Sequence, residues 1–242
     1  MEQEDYSKIY EYESSGKVYA GEKACISMTS WKARINTCSK TIFSLLQQCP
    51  GFHIVLVLSK DEFPLKEKEL PENLMLFVEN NLIELFWIKP NLKSFKKILF
   101  TMDKYRDVPV ISADDDCIYT CNYAQELYDN YIEYKMTCSR SPSFGTGIGV
   151  IFKPNLFDNF RKFLTKEIIE TNHDDLFYRF LLKNKNEKYV SLYKTRNEAI
   201  KIIDFISKNG ISTNINEKLN KEKMAKIFHI QVFNLESLLY NR

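Results

Sequence analysis

Three adjacent carboxylates, Asp114, Asp115 and Asp116, follow the apolar run Val110-Ile111-Ser112-Ala113. Like charges this close repel one another, and a bound cation is the usual offset. In extended backbone, Asp114 and Asp116 turn toward one ion and Asp115 turns away. A triplet at the end of a buried strand also stands where open α/β sheets hold their ligands, outside the strand carboxyl ends. The competing reading is a solvated acidic turn that caps the next helix. Aspartyl phosphatases place a D-x-D after a buried strand too, but expect Thr two positions on, where this chain has Ile118. That argues against covalent phosphoryl catalysis.

Such a triplet needs elements to hold it. Residues 24–28 form a short apolar run leading into Thr29-Ser30, and residues 41–46 have amphipathic-helix spacing, closed by Pro50-Gly51. Residues 53–59 are apolar and rich in β-branched side chains, as in a parallel strand covered on both faces. A strand over 82–88, a short helix over 94–102 and a buried strand over 108–112 continue an alternation that predicts an α/β sandwich with right-handed crossovers. Asn122 and Gln125 have capping-box form, so residues 123–134 are expected to be helical, with Leu127, Tyr131 and Ile132 on the buried side. Glycines 145, 147 and 149 make a turn before an apolar run at 150–152, and Pro154 is expected to open a further helix. Residues 197–208 read as a helix closed by Asn209-Gly210. Residues 1–22 are polar and Tyr-spotted without a period, an extension that packs on the domain or stays mobile.

Composition bounds the rest. A chain of 242 residues, 44% hydrophobic and 27% charged, can bury a full core and falls outside disordered and collagen-like classes. Its 34 Lys and Arg nearly balance its 32 Asp and Glu, which makes duplex DNA an unfavoured partner. Residues 181–242 hold 12 basic against 6 acidic residues, a basic segment suited to phosphates or anionic lipid, or a solvated Lys-rich helix face. The six cysteines include no CxxC pair and read as reduced thiols. The acidic N-terminus has no signal-peptide core and no apolar run approaches the ~20 residues of a membrane span, so a cytoplasmic protein is expected, at most peripheral to the inner face of a membrane.

The motifs, taken in order, resemble a known group. Ser27-Met28-Thr29-Ser30-Trp31-Lys32-Ala33-Arg34-Ile35, Ser44-Leu45-Leu46-Gln47-Gln48, Ser94-Phe95-Lys96-Lys97 and Asp114-Asp115-Asp116-Cys117-Ile118-Tyr119 are similar to motifs of bacterial GT-A glycosyltransferases of capsule and lipopolysaccharide synthesis. The match spans residues 24–183. It implies a GT-A fold, a Rossmann-like three-layer α/β sandwich with a mainly parallel central sheet. It also implies Mn²⁺ or Mg²⁺ on Asp114 and Asp116, with His229 as a possible third ligand or else a buried structural His. Donor nucleotide would lie near Thr29, Ser30, Arg34, Lys97 and Asp115. Residues 147–154 resemble a family G-x-G-V-L-Y-P-P stretch, departing at Lys153, with Gly147 and Gly149 on the acceptor side; a tight turn needs the same glycines.

Asn172-His173-Asp174-Asp175 resembles an A-D-D segment of the family, with His173 for Ala. By that analogy Asp175 is the general base and Asp174 orients the acceptor; helix N-capping is the alternative for both. The implied activity is transfer from a nucleotide-diphosphate sugar to a hydroxyl of a surface or lipid-linked glycan, with inversion. The implied organisation is an extension at 1–22, a catalytic domain at 23–183 and a basic appendage at 184–242. Two rivals remain: a nucleotidyltransferase, disfavoured because residues 29–34 contain no Gly, and a nucleotide- or glycan-binding module without catalysis.

Overall fold

A computed structural model of the chain describes residues 11–141, 144–158, 160–192 and 200–202. Four parallel strands make its centre: β2 (Ala24–Thr29), β3 (Phe52–Ser59), β4 (Glu84–Lys89) and β5 (Val110–Ala113). Strand β3 is buried along its whole length, as its unbroken apolar run requires. Strand β1 (Glu11–Gly16) adds to the edge at β4, so part of the N-terminal extension belongs to the sheet. The far side is completed by β7 (Thr137–Ser139), β8 (Val150–Phe152) and β9 (Tyr189–Ser191), in the order β1-β4-β3-β2-β5-β8-β7-β9.

Chain order reverses between β2 and β5. Successive strands run outward from β2 to β4, and β5 then returns to pair with the other side of β2. The crossover connections leave this seam open at the strand carboxyl ends, the place where such sheets bind ligands.

Helices cover both faces. On one side α1 (Ile35–Leu46) packs through Ile35, Cys38, Ile42 and Leu45, joined by α2 (Glu72–Glu79) and α4 (Tyr123–Tyr134), over Ile26, Met28 and Leu56. On the other, α3 (Lys96–Lys104), α5 (Lys166–Thr171) and α6 (Asp174–Asn184) pack over Cys25, Val55 and Phe86. Alternation along the strands sends neighbouring residues into these two cores, giving the expected three-layer sandwich. No helix of the described residues is long and apolar enough to cross a membrane.

Several local expectations are corrected. Residues 200–202 are not helical: β10 (Ile200–Ile202) pairs antiparallel with β6 (Cys117–Tyr119), since β-branched residues alternating about Lys201 suit a strand. The rest of the expected 197–208 helix lies outside the described residues. Helix α4 has the expected bounds, but Asn122 makes no cap to its backbone and bonds Glu126 instead, and Ile132 is 43% exposed. Pro154 opens no helix; it begins a turn in which Asn155 has φ 57° and bonds Arg106. Lys96, the neighbour of Lys97 in the Ser94-Phe95-Lys96-Lys97 motif, is buried as well, its ammonium reaching Glu62, Asn91 and the Lys93 carbonyl.

Gly149 has φ 121°, and a Cβ there would lie 2.7 Å from the Tyr123 hydroxyl, which itself donates to the Ser112 carbonyl at 2.6 Å. Gly149→Ala should therefore lower the unfolding free energy by ~1–3 kcal/mol through backbone strain and overpacking. Gly21→Ala, at φ 92° with no atom within 4 Å, carries only the backbone part. Urea unfolding of both variants checks this: equal losses would mean that the Tyr123 contact is inconsequential.

Candidate active site

At the seam, β2 leads into Thr29-Ser30 and β5 into the acidic triplet, where Asp115 and Asp116 lie in the turn between β5 and β6 rather than in extended backbone. Asp115 is 1% exposed, while the Asp114 and Asp116 side chains are 36% and 21% exposed. Ser30 Oγ donates to Asp115 Oδ2 at 2.6 Å, and the Arg34 guanidinium reaches Asp115 Oδ1 at 2.7 Å and Asp116 Oδ2 at 2.8 Å. Arg34 stands at the N-cap position of α1 and crosses to the triplet from there. Thr29 Oγ1 donates to the Val57 carbonyl at 2.6 Å. Of the residues expected near a donor, Ser30, Arg34 and Asp115 are thus bonded to one another, and Thr29 ties β2 to β3. Burial pushes the Asp115 carboxyl up from 3.8 to about 6 against the pull of Arg34 and Ser30, with Asp114 and Asp116 adding to the rise.

Lys97, in the first turn of α3, is 4% exposed. Ser27 Oγ on β2 donates to its carbonyl, and Tyr178 of α6 donates to the Phe95 carbonyl at 3.0 Å, so two elements fix where α3 begins. The Lys97 ammonium lies 2.5 Å from Asp114 Oδ1, 3.3 Å from Asp174 Oδ2 and 3.0 Å from Thr146 Oγ1. Burial opposes its charge, but Asp114, Asp174 and Asp175 together hold its pKa well above the ordinary lysine value.

Asp174 and Asp175 occupy the first turn of α6, the favourable end of the helix dipole for anions; the N-cap position itself is His173. Asp175 Oδ1 accepts from the Thr146 backbone N–H at 2.9 Å and from Thr146 Oγ1 at 2.6 Å. Burial first, and the neighbouring Asp174 second, push the Asp175 carboxyl upward, with Lys97 and Thr146 pulling the other way. Gly147 brings its loop against the triplet: a Cβ there would lie 1.9 Å from Asp114 Oδ2. Tyr119 completes the join, accepting from the Asp114 N–H at 2.8 Å and donating to the Gly147 carbonyl at 3.1 Å.

The fold thus brings Asp114, Lys97, Gly147, Asp174 and Asp175 into one cluster, with Ser30, Arg34, Asp115 and Asp116 adjoining through Arg34. His229 lies outside the described residues. Thr146, Ser27 and Ser112 were not singled out in the sequence, although a serine inside each of two apolar strands is a visible signal of a buried bond. Among the described residues no group of three His, Cys, Asp or Glu is placed to hold a metal. The part-exposed oxygens of Asp114 and Asp116 nonetheless fit Mg²⁺ or Mn²⁺, hard ions commonly held by one or two carboxylates and completed by phosphate and water.

No protein-family model matches the chain, and no curated protein matches it by sequence. Solved structures do match. Mannosyltransferase PcManGT from Pyrobaculum calidifontis, in complex with GDP-Man and Mn²⁺, is similar at TM-score 0.52 and 10% identity over 77% of this chain and 59% of that one. S. aureus TarS is similar at 0.50 and 11% identity, covering 86% of this chain and 43% of that one. The 1–349 portion of TarS gives 0.51 and 11%, covering 88% and 73%. The fold is that of the GT-A glycosyltransferases. The chain spans about half the length of the full-length TarS and PcManGT chains it matches.

Between 3.8 and about 6 the folded chain keeps a proton on Asp115 that the unfolded chain has lost. This group therefore adds stability at low pH, and the contribution disappears as pH rises through about 6. Asparagine does not titrate. The unfolding free energy of the native chain minus that of Asp115→Asn should fall as pH is raised from about 4 to about 7. Urea unfolding of both chains across that range, with chelator present, checks it; a constant or rising difference contradicts it.

Proposed function

We propose that this chain transfers a glycosyl group from a nucleotide-diphosphate sugar to a hydroxyl of a glycan or lipid-linked glycan. The observation that carries the reading is the convergence of two acidic sites on one buried ammonium, Asp114 on one side of Lys97 and Asp174 on the other, at the seam of a GT-A sheet. A diphosphate leaving group needs positive charge beside it, and an acceptor hydroxyl needs a base facing it; the Lys97 ammonium offers the first and the Asp174-Asp175 pair beside it the second.

Asp114 and Asp116 hold a divalent cation, Mn²⁺ or Mg²⁺, which when bound supplies positive charge to the diphosphate. Lys97 adds a fixed charge beside it. Asp175 removes the proton from the acceptor hydroxyl as that oxygen bonds to the anomeric carbon. The bond from that carbon to the diphosphate oxygen breaks, its electron pair leaving with the diphosphate, and attack from the opposite side inverts the centre. Asp174, paired with Lys97, orients the acceptor. Thr29 and the Ser30–Arg34 loop border the donor. Capsule or lipopolysaccharide as the acceptor class, work at the inner membrane face and contact of the basic C-terminal segment with anionic lipid follow from the sequence motifs and charge.

Asp114→Asn and Asp116→Asn should each weaken cation-dependent binding of a nucleoside diphosphate. Calorimetric titration with and without Mn²⁺ measures this, and equal binding by the native chain in both conditions would remove the metal from the proposal. Asp175→Asn keeps the shape of the base without its basicity. Turnover of the donor should fall ~10²- to 10⁴-fold while nucleotide affinity stays near native. If Asp174→Asn abolishes turnover and Asp175→Asn does not, the two roles are exchanged; native rates in both would leave the pair as a helix-start anion site alone.

A further inference from the structure

Thr146 lies between the two acidic sites and is 1% exposed. Its hydroxyl has one proton to give. Lys97 Nζ, which only donates, lies 3.0 Å away, so the hydroxyl accepts there. Its own proton then goes to a carboxylate, and Asp175 Oδ1 at 2.6 Å is better placed than Asp174 Oδ2 at 3.3 Å. The backbone N–H of Thr146 points to the same Oδ1, at 2.9 Å. Two donors of one residue converge on one oxygen, and among the described residues Asp175 Oδ2 has no hydrogen-bond partner.

The neighbouring acid is treated differently, since Asp174 Oδ2 faces the Lys97 ammonium at 3.3 Å. Asp175 Oδ1 instead meets the two neutral donors of Thr146, which fix where that oxygen lies. Thr146 is itself fixed from the strand that carries the acidic triplet. Ser112 Oγ donates to its carbonyl at 2.6 Å and accepts from the Val150 N–H at 3.0 Å, while Tyr119 holds the Gly147 carbonyl. The hydroxyl therefore cannot drift from Asp175 without breaking bonds to β5.

We propose that Thr146 is a positioning residue for Asp175: it fixes Oδ1 with two donors and leaves Oδ2 as the oxygen that takes the acceptor's proton. The inference rests on the glycosyl-transfer reading and adds a residue to it. Thr146 changes no bond during the reaction; the proton passes from the acceptor oxygen to Asp175 Oδ2 as the sugar moves.

The test compares the native chain with Thr146→Val, which keeps the shape and the backbone N–H but loses the hydroxyl, and with Thr146→Ser, which restores it. A panel of nucleotide sugars with Mn²⁺ is assayed for donor turnover, to acceptor or to water, and kcat and donor KM are determined for each chain. Thr146→Val should lower kcat about ten- to a hundredfold, the worth of one hydrogen bond to a charged group, with donor KM within about twofold of native. Thr146→Ser should recover most of kcat. Native kcat in Thr146→Val, a change confined to KM, or a Ser variant as slow as Val would each overturn the inference while leaving the glycosyl-transfer reading in place. No turnover of any nucleotide sugar by the native chain would overturn that reading and this inference with it. Thermal unfolding is followed alongside; if Thr146→Val does not fold, Thr146→Ala takes its place, and failure of both to fold makes the role structural and overturns the inference.

Discussion

An ammonium taken out of water loses hydration that only opposite charge and well-directed acceptors restore. Lys97 meets that requirement at 4% exposure with Asp114, Asp174 and the Thr146 hydroxyl around it, and the surrounding structure follows from keeping those partners in reach. Helix α3 has to begin where Ser27 and Tyr178 hold it. The turn after β5 has to bring Asp114 across the seam, and position 147 has to lack a side chain, because a Cβ would occupy the place of the Asp114 carboxylate. Losing one of these partners takes away part of what offsets the buried charge, a larger penalty than the loss of a surface pair.

Charge around this ammonium is not balanced. Asp114, Asp115, Asp116, Asp174 and Asp175 gather near two cations, Lys97 and Arg34. Burial first, and the neighbouring negative charge after it, push the Asp115 and Asp175 carboxyls upward. Arg34 serves the triplet with one planar fork, reaching Asp115 and Asp116 together, which a lysine could not do. Asp114 and Asp116, though paired with Lys97 and Arg34, keep partly exposed side chains, and in the proposed reaction these would meet an added cation. A donor diphosphate brings further negative charge and could not enter such a site unaccompanied; this is the electrostatic case for a divalent ion in the proposed reaction.

How much of this was legible in the sequence depended on the distance over which each element is decided. The buried run of β3 and the amphipathic spacing of residues 41–46 in α1 are local patterns, and both elements lie where those patterns put them. The acidic triplet was legible as a cluster of charge after an apolar run, but Asp115 faces inward through the turn between β5 and β6, where Ser30 and Arg34 hold it, and not through extended alternation. Residues 200–202 were not, because their strand exists through pairing with Cys117–Tyr119, some eighty positions away. Asn122 failed as a cap through a local competitor: its Oδ1, the atom that would accept from the helix backbone, accepts from Thr120 Oγ1 at 2.8 Å. Lys96 and Lys97 look alike in sequence, yet both are buried, one toward Glu62 and one toward Asp114, because α3 starts between two acidic loops that only the crossover topology brings together.

That topology also explains why the two acidic sites are coupled rather than merely close. The strand β5 carries Asp114 at its end and Ser112 within it; Ser112 holds the Thr146 carbonyl, and Thr146 holds Asp175. A second route runs from Asp114 through Lys97 to Asp174, and a third from the Asp114 N–H through Tyr119 to Gly147. Three short chains of bonds, none through solvent-exposed side chains alone, join one strand end to one helix start. A displacement of Asp114 on taking up a ligand therefore has to be shared by Lys97 and by the 145–149 loop, and through them by both acids of α6. In the proposed reaction, where the base should act only once the donor is seated, that sharing would tie the acceptor side to the state of the donor side through the same ammonium that the site needs for its own stability.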